Sequence, residues 1–196
     1  MARARDVAAA VLAHTGSITT MKLQKLLYYS QAWHLVFQHE PMFDEKIEAW
    51  PQGPVTPSIF AGHRKQYQVT NWPSGHAGAL TEPENTTVNW VMDKYAHYSA
   101  ETLSRMTHME SPWRVARGIV AENEKSSQSI SHEQMRHFYA RQIADVDIAV
   151  AQAAASAAME GVDLDDDWQR TLRDVATSTR TADDLIAEEI ERARRQ

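Results

Sequence analysis

The chain has 196 residues, with 20 Lys and Arg against 26 Asp and Glu for a formal charge of −6. That is room for one ordinary domain with an appendage rather than a large multidomain enzyme, and the acidic balance disfavours nucleic acid as a partner. There is no cysteine, which excludes disulfides, thiolate zinc sites and cysteine nucleophiles and fits a reducing, cytoplasmic setting.

Arg3 and Arg5 ahead of "VAAAVLAH" imitate a signal peptide, but Asp6 interrupts the run, so the segment reads as an amphipathic first helix over 3–14. Thr19 or Thr20 caps a second helix reaching about 39, with Leu23, Leu26, Leu27, Ser30, Trp33 and Phe37 along one stripe. Ile47 and Ala49 alternate with Lys46 and Glu48 and predict a short strand near 43–50. Thr56-Pro57 starts a helix expected over 57–67, with proline at the first helical position.

Thr81 and Glu84 form a capping box ahead of the stripe Val88, Val91, Met92 and Tyr95. Ser99 opens a short helix with Leu103 and Met106, and Pro112 in "THMESPW" ends or redirects it. A polar loop over 122–128 precedes a helix start at Ile130-Ser131, where Gln134 completes a capping box and Met135 a hydrophobic staple. An alanine-rich helix follows, and Gly161 stops it. Two charged helices, over 168–178 and 182–195, then carry too few large apolar residues to form a core of their own.

The expected fold is mainly α: a compact multi-helix domain over 1–142 with at most a short β element near 43–50, plus a C-terminal helical extension over 143–196. No stretch approaches the ~18 uncharged apolar residues of a membrane span, so no membrane role is expected.

Chemistry is poorly represented. The pairs His34/His39 and His132/His137 are five residues apart, whereas ligands sharing a helix face need three or four. No serine sits in a Gly-x-Ser-x-Gly elbow and no glycine-rich loop cradles phosphate. No catalytic residue, metal or cofactor is therefore expected, and a hydrolase or a DNA-binding autoregulator ranks below a binding protein.

Three blocks read together are more specific: "MKLQKLLYYSQAWHLVFQHEPMFDEKIEAWPQGPV" over 21–55, "SAETL" from Ser99, and "LSRMTHMESPW" over 103–113. Their order and spacing resemble the Panacea, or SocA-like, antitoxin family, whose members are often phage-associated. The resemblance covers about 6–140. It implies a mainly helical domain that neutralises a genetically linked toxin by direct protein–protein binding, or an adaptor that delivers the toxin to a ClpXP-type protease. Pro51-Gln52 depart from the family pattern, which commonly has a basic or polar residue and then an aromatic before Gly-Pro-Val.

Leu23, Leu26, Leu27, Trp33, Trp50, Gly53 and Trp113 are read as the scaffold of that signature. Toxin contacts are expected at Pro54 and Val55, which prolines pre-organise, and at His108 and Glu110, polar and exposed beside a fixed turn. Further contacts are expected at Trp168, Leu185, Ile186 and Ile190 in the acidic extension. The apolar stripe of that extension also offers a homodimer contact.

Overall fold

A computed structural model describes residues 1–121, 123–159, 161, 162 and 165–176. By contact the chain divides into two compact units, Met1–Ala140 and a second beginning at Arg141. Among the described residues the architecture is mainly α, with eight α-helices and two small two-stranded sheets.

The first unit is built around α2 (Thr20–Phe37). Thr19 caps it, its hydroxyl accepting the Lys22 N–H at 3.2 Å. Before it lie α1 (Ala4–Thr15) and β1 (Ile18–Thr19); Gly16, at φ +66°, ends α1 in a conformation that an L side chain rarely adopts. The expected single apolar stripe is only part of the outcome. Every residue of α2 from Leu23 to Leu35 is buried, because α1, α4 (Glu82–Tyr95), α5 (Ala100–Met109) and a β-hairpin pack around it. Phe37, assigned to that stripe, lies at its edge and is 36% exposed.

The hairpin is β2 (Glu48–Trp50) and β3 (Gly53–Val55), paired antiparallel with Trp50 opposite Gly53. Pro51-Gln52 are its two-residue turn. The outer edge of β2 is also bonded: Ala49 N–H donates to the Gln128 carbonyl at 2.9 Å and Ile130 N–H to the Ile47 carbonyl at 2.8 Å. A bonded edge offers no template for adding another strand.

The helix expected over 57–67 is shorter. α3 (Pro57–Gly62) stops, Lys65 takes φ +71°, and β4 (Gln68–Val69) pairs with β1. The Thr20 N–H, which needs an acceptor at the start of α2, takes the Tyr67 carbonyl at 3.0 Å, and this contact draws the chain out of helix. Thr56 precedes Pro57, but its hydroxyl makes no hydrogen bond. The capping box at Thr81 and Glu84 forms as expected. So does the Ser99 cap of α5, accepting the Thr102 N–H at 3.1 Å. Pro112 sits in the first turn of α6 (Ser111–Arg117), which leaves α5 at Glu110.

α7 (His132–Met159) continues into the second unit. Ile130 and Met135 at its start are both buried, as the staple requires. Gly161 follows at φ +82°. α8 (Asp166–Ala176) begins two residues earlier than expected, because the Asp165 carboxylate accepts the N–H groups of Asp167 and Trp168 at 3.1 and 2.9 Å. Arg173 Nε meets Asp147 at 2.6 Å, joining α8 to α7 within this unit. α8 contains no fully buried residue. The helix expected over 182–195 falls outside the described residues.

Candidate functional site

An α-helix buried on all sides has to place its polar side chains inside the protein, where each needs a partner. On α2 these partners are backbone groups of distant loops. Gln31 Oε1 accepts the N–H groups of Met42 and Phe43 at 3.0 and 3.1 Å, and its amide donates to the Phe43 carbonyl at 3.0 Å. Gln24 Oε1 accepts the Thr56 N–H at 2.7 Å, and its amide lies 2.9 Å from His63 Nε2. An amide facing that nitrogen makes His63 Nε2 the acceptor and keeps the ring neutral. Burial, which lowers the His63 pKa, acts in the same direction.

Lys25 is 1% exposed, and its ammonium donates to the Pro54 carbonyl at 3.2 Å. Burial pulls its pKa from 10.5 down to about 7. The lysine also explains the glycine of "GPV". A Cβ on Gly53 would stand 2.6 Å from Lys25 Nζ and 2.8 Å from Thr107 Oγ1, and the residue holds φ +100°. From the other side α6 grips the same hairpin: Trp113 Nε1 donates to the Trp50 carbonyl at 3.0 Å and Arg117 to the Ala49 carbonyl at 3.1 Å.

A cleft of about 900 Å³ opens between this hairpin, α2, α3 and the loop at 125–127. That size suits a drug-sized molecule or a few residues of peptide. Gln24, Lys25 and His63 lie at it, and Trp50 and Phe60 give it aromatic walls with ring centres 4.8 Å apart. Arg64, Tyr67 and Lys125, all exposed, also line it.

The structure places the expected contact residues differently from one another. Pro54 and Val55 are buried, Val55 at 8% exposure, because β3 packs on α2; Val55 still borders the cleft. Glu110 corrects the expectation of an exposed contact. It is 7% exposed, and its carboxylate accepts from three tyrosines: Tyr29 on Oε1 at 3.1 Å, Tyr28 and Tyr139 on Oε2 at 3.1 and 2.6 Å. Burial pushes its pKa from 4.5 up to about 7, against the opposing pull of the three hydrogen bonds. His108 is half-buried and stacks on Trp113 with ring centres 4.2 Å apart. Trp168 is 38% exposed on α8; Leu185, Ile186 and Ile190 lie outside the described residues.

The scaffold residues Leu23, Leu26, Leu27, Trp33, Gly53 and Trp113 are all buried, and Trp50 is half-buried at the cleft. Trp33 Nε1 donates to the Tyr95 hydroxyl at 3.0 Å. Sequence reasoning missed Gln24, Lys25, Gln31 and His63. The available signal was three amide or ammonium side chains off the apolar stripe of a helix too apolar to be solvated on the other side.

The fold and cleft define a mainly helical domain whose internal polar residues clamp loop backbone and whose open face is a mixed aromatic and cationic recess. Residues 23–114 match the family described as antitoxin SocA-like, Panacea domain. The match covers nearly all of the three sequence blocks and agrees with the resemblance they carry. No curated protein and no solved structure matches the chain. Among the described residues no helix is long and apolar enough to cross a membrane.

Proposed function

We propose that the chain is an antitoxin that neutralises a toxin encoded beside it by direct protein–protein binding in the cytoplasm, without turnover. The observation that carries this reading is the family match over residues 23–114. The same stretch supplies most of the cleft. Binding by occupancy also suits the polar groups there, since Gln24 and Lys25 hold backbone carbonyl and N–H groups of the hairpin and α3. A rigid platform of this kind loses little entropy on association. The extension after Ala140 supplies a second contact surface, with the half-exposed Trp168 as one anchor.

Co-expression with the product of the adjacent reading frame tests the reading. Growth is restored, and the two purified proteins form a stable complex in which the toxin is inactive. Rescue with no complex between purified components overturns it. Rescue that depends on a ClpXP-type protease makes the chain an adaptor instead.

A further inference from the structure

The cleft carries charge opposite in sign to the chain. The protein has a formal charge of −6, yet Lys25, Arg64 and Lys125 all border this recess. No carboxylate lies within ion-pair distance of any of the three among the described residues. Two carboxylates, Glu48 and Glu101, lie at the same recess and stay negative, so its formal balance is one positive charge. Glu48 accepts the Trp50 indole N–H at 2.8 Å, and Glu101 is held below the usual carboxylate range by its own backbone N–H and by Ser99.

Lys25 is the buried member of the three, and within the protein only one of its donors is used. An ammonium has three hydrogens to donate, and the Pro54 carbonyl takes one. Burying a cation with its remaining donors unfilled is costly, and an anion placed beside Lys25 favours its charged form and offsets part of that cost. The apolar part of the recess is equally specific. Trp50 and Phe60 meet edge to face, and Tyr67, 76% exposed, continues this apolar lining. Such walls accept a flat or branched apolar side chain and bury much of it.

The geometry points to a docking site for an acidic segment of the toxin: an apolar side chain of that segment seats against Trp50 and Phe60, and neighbouring carboxylates meet Lys25, Arg64 and Lys125. This rests on the antitoxin reading and adds to it the position and chemistry of the contact. It requires a toxin surface with an exposed acidic and apolar stretch.

The test uses the full chain and the product of the adjacent reading frame. Arg64→Glu with Lys125→Glu reverses two exposed charges without touching the core, and Lys25→Met keeps the shape of the third side chain without its charge. The double variant is expected to melt near the wild-type temperature and Lys25→Met to stay folded although the Pro54 carbonyl loses its donor, and each is expected to bind the toxin at least tenfold more weakly. The loss for the double variant shrinks as salt is raised. Folded variants that bind like the wild type overturn the docking site and leave the antitoxin reading standing. A wild-type chain that binds no neighbouring product removes both. A change in oligomeric state with unchanged toxin affinity assigns the recess to a second copy and overturns the proposal. In a parallel measurement, 3-phenylpropionate and its amide are titrated while the lysine ε-methylene signals are followed by NMR, with Lys25→Met giving the assignment. The carboxylate shifts the Lys25 signal and the amide does not. Equal response to both, or to neither, overturns the part of the proposal that concerns the anion.

Discussion

Glu110→Gln isolates a carboxyl whose surroundings are fixed by three tyrosines. In the folded chain Glu110 ionises at about 7 rather than 4.5. At ~1.4 kcal/mol per tenfold this amounts to about 3 kcal/mol. Because the native state holds the proton more tightly than the unfolded chain, the contribution is fully present below pH ~4.5 and is lost as pH rises through ~7. The wild type should therefore lose up to about 3 kcal/mol relative to Glu110→Gln between pH ~4.5 and ~8, the glutamine variant having no proton to release there. Lys25 acts in the opposite sense and in another window. Its native pKa is lowered to about 7, so its contribution is smallest below that pH and grows from pH ~7 to ~10.5. It is common to both proteins and cancels in the difference, as do the histidines. Urea unfolding followed by tryptophan fluorescence, at half-unit pH steps, gives the two curves. Parallel curves would refute the reasoning, since they would mean that Glu110 is solvated like an ordinary surface carboxylate.

Gly53→Ala should destabilise the first unit by about 2 kcal/mol or more, from the positive φ and the approach of Lys25 and Thr107; a thermal melt reads the loss. Gln31→Leu leaves the Met42 and Phe43 N–H groups without their acceptor. At ~1–3 kcal/mol for each buried orphan, it should cost about 3 kcal/mol and abolish hydrogen-exchange protection at those two amides. Retained protection would show that another group holds the loop. Deleting residues 161–196 should leave the melting transition of the first unit unchanged and weaken toxin binding, measured by calorimetry. Equal affinity would remove the extension from the interface.

Local chemistry announces the element boundaries. Thr19, the Thr81–Glu84 box, Ser99 and Pro112 each act within about one helical turn, and each does in the structure what its residue type predicts. The candidate site was far less legible, because its determinants are distant along the chain. Gln24 meets Thr56 32 residues away, and Tyr28 meets Glu110 82 residues away. A glutamate beside a proline turn has the composition of a surface contact, and only the convergence of Tyr28, Tyr29 and Tyr139 shows that it points inward. The early end of α3 is only partly local: Gly62 is its last residue, and beyond it the Thr20 N–H across the fold takes the Tyr67 carbonyl. Pro54 and Val55 are buried rather than presented on the surface, because a two-stranded hairpin has two faces and the sequence does not say which of them meets α2.

The β2–β3 hairpin is held through its main chain as well as by the burial of Ala49, Pro54 and Val55. Gln24, Lys25, Trp113 and Arg117 all reach backbone atoms between Ala49 and Thr56, and residues 128–130 bond its outer edge. Main-chain atoms are the same whatever side chain they carry. An exposed position of the turn such as Gln52 can therefore be substituted while the position of the hairpin stays fixed. The anchoring of this segment is thus separable from the chemistry that its exposed turn presents.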